Sequence, residues 1–252
     1  IGPYSLIEPH VRIGAGCRIG GHGTLGRNLR LGCRVKIHNY ACIGTSSQDI
    51  KHQGEYYWVE IGDDVIIREF ATVNRGTREN STTIVKNGVL LMAYSHVAHE
   101  CQIGEGAILV NNASLGGEVV VGRKAIIGGL TPVHQFCHIG TLAIVGAGCK
   151  VSQDIPPFFM ADGYPARPIG INTVGLRRDN FTSDQIREIQ RLFHELFHRQ
   201  RSYEENMKHI TENFRESAAA QELINFCNQS TRGIAHPRIR KPDPSLSELI
   251  LD

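Results

Sequence analysis

Aliphatic residues recur every six positions from Ile1 to Val151. Counted in steps of six from Ile1, 23 of 26 positions are Ile, Leu or Val. A period of six matches neither the α-helix, with about 3.6 residues per turn, nor the alternation of a simple strand. It predicts a solenoid in which each hexapeptide forms one short strand and one turn, with the aliphatic side chain inward. Three faces close one coil, so equivalent residues of successive coils stack about 4.8 Å apart.

The period survives two interruptions, so each inserted segment must leave the solenoid and return in phase. The exceptions to the period are Asp49, Glu55 and Glu79, which place two ejected loops at about 45–58 and 74–83. Because glycine reaches backbone angles closed to other residues, we expect the glycines that follow aliphatic positions to form the corners. The glycines in question are Gly14, Gly20, Gly104, Gly122 and Gly128.

The pattern changes after Val151. Pro156 and Pro157 end the regular repeat, because proline has a fixed φ and no backbone donor. We expect a β-helix over 1–152, a linker over 153–180, and a helical domain over 181–252. Thr182-Ser183-Asp184-Gln185 is typical of a capping box at a helix start. Three apolar stretches then have helical spacing: Ile186, Ile189, Leu192, Phe193, Leu196 and Phe197; Tyr203, Met207, Ile210 and Phe214; and Leu223, Ile224 and Cys227.

Composition narrows the classes of partner. The net charge of +2 argues against nucleic acid or another bulk polyanion. Seven cysteines without a Cys-x-x-Cys pair favour reduced thiols over a disulfide framework. There is no long apolar run and no N-terminal signal pattern, so we expect a cytoplasmic protein without a transmembrane segment. The chain starts inside a repeat and without Met, which we interpret as the loss of one or two initial coils.

The densest cluster of reactive side chains lies in the segment 95–101, Ser-His-Val-Ala-His-Glu-Cys. Val97 is an inward position, so His99 lies two residues later on the outside of a turn, beside Glu100. The 18-residue coil brings further residues to the same edge: Gly117 and Glu118 one coil on, and His134 and Gln135 two coils on. A single surface histidine is usually only solvated, but histidines and a carboxylate converging on one edge indicate a functional site.

Three interpretations of this edge stay open from the residues alone. In the first, His99 is a general base that removes a proton from a hydroxyl as it attacks a thioester, and the Gly117 amide holds the oxyanion. In the second, His96, His99 and His134 bind zinc, with Cys101 as a further ligand, as in gamma-class carbonic anhydrases. In the third, the solenoid is a catalytically silent scaffold.

Six strings in order give a specific resemblance. The chain resembles the acyl-[acyl-carrier-protein]:UDP-N-acetylglucosamine O-acyltransferases that begin lipid A synthesis, over essentially its whole length. The strings are Gln48-Asp49-Ile50-Lys51-His52-Gln53-Gly54-Glu55, Arg75-Gly76-Thr77, His96-Val97-Ala98-His99-Glu100-Cys101, Ala125-Ile126-Ile127-Gly128-Gly129, Val133-His134-Gln135-Phe136, and Gly170-Ile171-Asn172-Thr173-Val174-Gly175-Leu176-Arg177-Arg178. The implied fold is mainly β, a left-handed parallel β-helix of hexapeptide repeats followed by a small C-terminal α-helical domain.

The resemblance implies a homotrimer with active sites between neighbouring β-helices, an acyl carrier protein as acyl donor, and no cofactor or metal. His99 becomes the base that activates the sugar 3-hydroxyl, Glu100 replaces the usual Asp beside it, and Gly117 supplies the oxyanion amide. The implied binding residues are Asp49 and Lys51 for sugar and phosphates, His96 near the sugar, and His134, Gln135, Asn172 and Arg178 for the nucleotide side. The resemblance thus makes the linker 153–180 a nucleotide-contacting segment as well.

Several positions depart from the family pattern. Asn74 and Glu118 stand where His is common, and Val174 stands where an acidic residue is common. Some relatives acylate a 3-amino sugar, so that acceptor is the alternative to the 3-hydroxyl. Ala147 lies in the region that resembles the acyl-length ruler, where its methyl group is expected to limit chain length. Basic residues are candidate contacts for the acidic carrier protein: Arg177, Arg178, Arg232, Arg238, Arg240 and Lys241.

Overall fold

The computed structural model describes residues 1–50, 57–198 and 200–237. Short strands follow one another along the chain, most of them only two residues long. In chain order they are β1 (Leu6–Ile7), β2 (Arg12–Ile13), β3 (Arg18–Ile19), β4 (Thr24–Leu25), β5 (Leu29–Leu31), β6 (Lys36–Ile37), β7 (Cys42–Thr45), β8 (Trp58–Ile61), β9 (Ile66–Ile67), β10 (Thr72–Asn74), β11 (Thr82–Val85), β12 (Leu90–Leu91), β13 (His96–Val97), β14 (Gln102–Ile103), β15 (Ile108–Leu109), β16 (Ser114–Leu115), β17 (Val120–Val121), β18 (Ile126–Ile127), β19 (Pro132–Val133), β20 (His138–Ile139), β21 (Ile144–Val145), β22 (Phe159–Asp162) and β23 (Arg167–Ile171).

Every third strand joins the same sheet, which makes a parallel β-helix of three sheets. The first sheet has the order β1-β4-β7-β10-β13-β16-β19, and the second has the order β2-β5-β8-β11-β14-β17-β20. The third runs from β3 through β6, β9, β12, β15, β18 and β21 to β22 and β23. Partners lie one coil apart, as His96 and Ser114 do. The inward aliphatic ladder predicted from the sequence is the core, since Leu25, Val97 and Ile127 are fully buried.

The two interruptions leave this register intact. Arg30 pairs with Glu60 across the first, and Thr72 pairs with His96 across the coil that contains the second. The strands reach further into the inserted segments than the sequence suggests, because Thr45, Trp58, Asn74 and Thr82 are all strand residues. The connections therefore comprise residues 46–57 and 75–81; we call these the first loop and the second loop. Residues 51–56 of the first loop lie outside the described chain.

Apart from the two loops, a short turn connects each strand up to β20 to the following strand, which lies in the next sheet. We call the turn from the first sheet to the second the first corner, and its members include residues 98–101, 116–119 and 134–137. The second corner leads from the second sheet to the third, as at 122–125 and 140–143. The third corner leads back to the first sheet, as at 128–131 and 146–149.

The expected role of the glycines that follow aliphatic residues is wrong. Gly14, Gly20, Gly104, Gly122 and Gly128 are absent from the left-handed region of the backbone. Each lies so close to the next coil that a Cβ would meet another atom at 2.3–2.6 Å. Close approach between coils, and not an unusual φ, therefore demands glycine at this position.

The left-handed residue at each corner is instead the third after the aliphatic position, and it is usually not glycine. At the third corner it is Tyr4, His22, Tyr40, Phe70 and Tyr94 in successive coils, with φ between 55° and 63°. Their rings stack in one column with centroids 4.8–5.0 Å apart. Such ring contacts contribute about 0.5–1.5 kcal/mol each, comparable with the cost of the left-handed conformation.

The segment 153–180 is not an open linker, contrary to the sequence prediction. Ile155 continues the solenoid, because its N–H donates to the His138 carbonyl. Strand β22 then pairs in parallel with β21, and β23 folds back on it as an antiparallel hairpin. The prolines end the regular repeat, but the third sheet continues past them.

In the described part of the chain four helices follow: α1 (Thr173–Arg178), α2 (Ser183–Leu196), α3 (Tyr203–Asn213) and α4 (Ala218–Gln229). The predicted capping box at Thr182 and Gln185 begins α2, and a second one at Ser202 and Glu205 begins α3. The apolar stripe of α2 packs against the aromatic end of the solenoid at Phe159. No helix in the described ranges is long and apolar enough to cross a membrane.

Candidate active site

His99 and Glu100 lie at the first corner, between strands β13 and β14. Val97 and Cys101 on either side are fully buried, which turns the two intervening polar side chains outward. They remain largely shielded, since the side chains of His99 and Glu100 are only 16% and 8% exposed. The ring Nδ1 of His99 donates a short hydrogen bond to Oε2 of Glu100. A carboxylate only accepts, so Nδ1 carries the hydrogen, and in a neutral imidazole the lone pair is then on Nε2.

The second loop surrounds the other oxygen of Glu100. Oε1 accepts from the backbone N–H of Thr77 at 2.5 Å, from that of Arg78 at 3.0 Å and from the Ser81 hydroxyl at 2.6 Å. Burial by itself raises the pKa of the Glu100 carboxyl, but these hydrogen bonds outweigh burial and hold that pKa below its usual value. The carboxylate beside His99 therefore stays ionised.

Asp49 approaches the opposite side of the imidazole from the first loop. Its Oδ2 lies 3.8 Å from Nε2 of His99, which is too long for a hydrogen bond. Asp49 therefore lies beside the Nε2 edge of the His99 ring, within ion-pair distance of an imidazolium. Lys51, the other predicted residue of this loop, lies outside the described residues.

Gly117 stacks against the imidazole from the next coil. A Cβ at this position would lie 2.2 Å from Cε1 and 2.3 Å from Nε2 of His99, so only glycine fits. At the equivalent repeat position, the N–H groups of Gly21, Cys33 and Asp63 donate to a side chain of the neighbouring coil. In the described chain the Gly117 N–H has no such acceptor, which leaves it available to an oxyanion beside His99.

Glu118 departs from the family pattern, and the structure shows what it contacts. Its N–H donates to the His99 carbonyl at 2.9 Å, which places the residue directly beside the site. Its carboxylate forms an ion pair of 2.7 Å with Arg78 of the second loop. Asn74, the other departure near the site, is buried and donates from Nδ2 to the Thr45 hydroxyl. Glu118 therefore ties the second loop to the first corner, and Asn74 joins the ends of the two strands from which the loops leave.

His96 lies on β13 with its side chain on the outer face of the first sheet. The hydroxyl of Thr72 lies 2.7 Å from its Nδ1. Burial and then the neighbouring His99 lower the pKa of His96, which favours the neutral ring. His134 and Gln135 lie at the same corner two coils beyond His99 and are exposed. The predicted column of His99, Gly117 and Gln135 is present, with His134 beside it.

Three predicted site residues lie elsewhere in this chain. Asn172 caps α1, accepting from the Gly175 N–H and donating to the Leu142 carbonyl, and is 2% exposed. Arg178, at the end of α1, lies next to Asp179, which is bound to the second corner through Arg123. Ala147 lies at the third corner. Their predicted contacts with substrate stay predictions, and within one chain they do not face His99.

The zinc interpretation finds no support in this geometry. Among the described residues, no three His, Cys, Asp or Glu side chains are placed to hold a metal ion. Cys101 points inward and donates to the Gly116 carbonyl, and burial raises the pKa of its thiol to about 12. A buried neutral thiol of this kind is a small core residue and not a metal ligand.

The sequence interpretation missed an apolar ladder on the outer face of the third sheet. Its members are half-buried and in register from coil to coil: Ile66, Leu90, Ile108, Ile126, Ile144 and Met160. Outward strand positions of a solenoid are ordinarily polar. The signal was present in the sequence, because two adjacent aliphatic residues recur every 18 positions from Ile108-Leu109 to Ile144-Val145.

Comparison with known proteins gives two matching family models. The model for bacterial transferase hexapeptide repeats matches residues 82–117, which include His99 and Gly117. The model for domain 2 of UDP-N-acetylglucosamine O-acyltransferase matches residues 154–235.

Similar proteins and structures cover nearly the whole chain. The acyl-[acyl-carrier-protein]--UDP-N-acetylglucosamine O-acyltransferase of Thiobacillus denitrificans is 40% identical over 93% of this chain and 91% of its own length. The corresponding protein of Herminiimonas arsenicoxydans is 41% identical over the same shares. The UDP-N-acetylglucosamine acyltransferase structure from Francisella novicida has a TM-score of 0.91 and 34% identity, covering 98% of this chain and 89% of that one.

The hexapeptide β-helix, with a histidine–carboxylate pair at its corner and a match to the model for bacterial hexapeptide transferases, places the chain in that class of transferases. Since relatives 40% identical cover nearly all of the sequence, the chain belongs to the UDP-N-acetylglucosamine O-acyltransferase family.

Proposed function

We propose that the protein transfers a 3-hydroxyacyl group from acyl carrier protein to the 3-hydroxyl of UDP-N-acetylglucosamine, the first step of lipid A synthesis. The observation that carries this proposal is the pairing of His99 with Glu100 beside the Gly117 amide. It combines a base that has one free nitrogen with an oxyanion donor at the same corner, and the relatives bear the name of this activity.

The chemistry follows from the two nitrogen atoms of the imidazole. Glu100 fixes the Nδ1–H, so Nε2 of His99 removes the proton as the sugar oxygen attacks the thioester carbonyl. The Gly117 N–H donates to the oxygen of the resulting tetrahedral intermediate. Collapse of this intermediate breaks the carbon–sulfur bond, and the imidazolium returns the proton to the departing carrier thiolate. Glu100 stabilises the imidazolium between these two proton transfers.

Asp49 is assigned to accept a hydrogen bond from the sugar, from a donor next to the reacting hydroxyl. Because its carboxylate and Nε2 of His99 are both acceptors 3.8 Å apart, a single hydroxyl hydrogen does not satisfy both. A sugar offers adjacent polar groups, so we assign the reacting hydroxyl to His99 and a second donor to Asp49. Lys51 is assigned to the phosphates, as the family resemblance implies, and His96, His134 and Gln135 surround the remainder of the acceptor.

The acyl chain requires an apolar surface, and the outer ladder of the third sheet supplies one. Ile108, Ile126 and Ile144 are stacked in consecutive coils, and Ala147 follows Ile144 at the third corner. We propose that the chain lies along this ladder and that the Ala147 methyl limits its length. Burial of each methylene contributes about 0.8 kcal/mol, enough for chain length to affect transfer.

The site is completed by a neighbouring copy in this proposal. His99 is at the first corner, whereas the acyl ladder belongs to the third sheet and Ala147 to the third corner. Arg178 ends α1 beside Asp179, which is bound to the second corner through Arg123. A cyclic homotrimer lets each copy present its first corner to the opposite face of the next. Asn172 would then act by capping α1 and so presenting Arg177 and Arg178 to the nucleotide or the carrier protein.

Contacts with the acidic carrier protein are assigned to basic residues near α1. Arg177 and Arg178 are exposed there. The Arg232 guanidinium donates to the Ser152 carbonyl and anchors the last described segment to the solenoid. Arg238, Arg240 and Lys241 lie outside the described residues. Because this donor is a cytoplasmic carrier, the proposal also assigns the reaction to the cytoplasm.

The test is transfer of a 3-hydroxyacyl group from acyl carrier protein to UDP-N-acetylglucosamine, followed by mass spectrometry of the nucleotide sugar. His99→Ala is expected to lower kcat by about 10²- to 10⁴-fold, the usual contribution of a positioned base. His194→Ala, an exposed histidine of α2, is the matched control. Absence of transfer by the unaltered protein would refute the assigned reaction, and full activity of His99→Ala would refute the assigned base.

A further inference from the structure

The carboxylate of Glu100 is held by the second loop, whose described hydrogen bonds include none to His99 or Gly117. All three donors of the second loop converge on Oε1, while Oε2 alone is left for His99. Consecutive backbone N–H groups that point at one anion form a nest, and here the Ser81 hydroxyl completes it. The loop therefore decides the direction in which the second carboxylate oxygen points.

The fit of this nest is close enough to constrain the sequence. A Cβ on Gly76 would lie 2.0 Å from the Ser81 hydroxyl oxygen and 3.1 Å from Oε1 of Glu100. The backbone of Glu100 is held as well, because its N–H donates to the Thr83 hydroxyl at 2.9 Å. Glu100 is thus held at its backbone by Thr83 and at its carboxylate by the second loop.

Two further contacts hold the second loop where it can act on Glu100. Arg78 pairs with Glu118, one coil beyond His99, at 2.7 Å. The Thr77 hydroxyl donates to Ser47 of the first loop at 2.9 Å. The loop is therefore a bridge between the first loop and the first corner, and Ser81 is its only side-chain donor to the carboxylate among the described residues.

We propose that Ser81 is a positioning residue for acyl transfer. By holding Oε1 it keeps Oε2 aligned with Nδ1 of His99, which maintains the tautomer and the direction of the Nε2 lone pair. This inference rests on the proposed function, because it requires His99 to be the base.

Removal of the hydroxyl should act on the chemical step and not on binding. Ser81→Ala leaves the two backbone donors in place but frees the carboxylate to rotate, so the base spends less time aligned. We expect kcat to fall about tenfold, less than the loss with the base itself, while KM for both substrates stays within about twofold. Ser81→Thr keeps a hydroxyl and should retain most of the activity. Glu79→Ala, an exposed change on the same loop, is the matched control.

A double-mutant cycle separates positioning from a general effect on folding. In a Glu100→Gln background the carboxylate that Ser81 holds is gone, so adding Ser81→Ala should change kcat by less than about twofold. A tenfold loss in both backgrounds, or an equal loss in Glu79→Ala, would show a merely structural role and overturn the proposal. Nitrogen-15 shifts of His99 give an independent readout, since they should move from a single Nδ1–H tautomer toward a mixture in Ser81→Ala.

The two proposals fail in different ways. If His99→Ala retains activity, the assigned base is wrong and the cycle has no meaning for catalysis. If His99→Ala is inactive while Ser81→Ala has unaltered kcat and unaltered nitrogen-15 shifts, the base stands and the positioning role of Ser81 is refuted.

Discussion

Gly117→Ala is the substitution that tests the geometry of the site most directly. The new methyl group would start 2.2 Å from Cε1 of His99. Ordinary contacts begin at about 3.4 Å, so the imidazole must move by about 1.2 Å to admit it. The ring is held on its other side by Glu100, so this movement breaks the hydrogen bond at Nδ1 or turns Nε2 away from the acceptor.

A displacement of about 1 Å at a catalytic group costs about 10²-fold in rate, or roughly 2.7 kcal/mol of transition-state stabilisation. Folding should be affected less than catalysis, because Gly117 has no left-handed φ and the clash is with a side chain at a corner and not with the core. We therefore expect kcat to fall about 10²-fold while the melting temperature stays within about 4 °C.

The assay is release of the carrier thiol under saturating acceptor, with thermal unfolding followed by circular dichroism on the same samples. Gly23→Ala is the control, since its Cβ would meet the nearest atom at an ordinary 3.5 Å, far from the site. Wild-type kcat in Gly117→Ala would contradict the contact with His99 and with it the assigned oxyanion position. Equal losses in both variants would point to a general effect of alanine in the solenoid.

Two further substitutions test other parts of the structure. Asp179 binds Arg123 and Lys124; the hydrogen bond from Arg123 is the main cause that lowers the pKa of the Asp179 carboxyl from 3.8 to about 2. Because this pKa is depressed on folding, the ionised Asp179 stabilises the folded state fully above about pH 4, and this stabilisation is lost as the pH falls through about 2. Asp179→Asn should therefore lower the free energy of unfolding by about 1–2 kcal/mol at pH 7 and by less at pH 3. Urea unfolding at both pH values measures this, and an equal cost at both would refute the linkage. Ala147→Gly should raise the turnover of longer acyl donors relative to shorter ones. The measurement is a competition between carrier-bound acyl chains of different length, and an unaltered preference would exclude Ala147 as the length limit.

The aliphatic period of six determines most of the fold by itself. It predicts three faces, an 18-residue coil and two loops that return in phase, because a buried ladder tolerates no shift of register. The start of α2 is equally local, since the capping pattern at Thr182 and Gln185 is a signal carried by neighbouring residues. The same period places His99, Gly117 and Gln135 in one column.

Other features depend on contacts between residues far apart in the chain. The sequence predicts that the glycines after aliphatic positions are needed for the backbone angles of the corners. They are needed instead because the next coil is too close for a side chain: a Cβ at Gly104 or Gly128 would lie about 2.5 Å from its atoms. The prolines lead to the prediction of a linker. No local pattern in the sequence shows that β22 and β23 extend the third sheet. Propensity describes one residue and its neighbours, whereas these features arise from packing between coils.

The same division runs through the active site. Periodicity alone places a histidine, a carboxylate and a glycine on one edge, since residues of equal phase in a solenoid must stack. That Glu100 is oriented by Thr77, Arg78 and Ser81, and that Arg78 reaches Glu118, is decided only when the second loop folds back over the corner. An ejected loop has no period to predict its path, because the contacts that fix it are made by side chains distant in sequence.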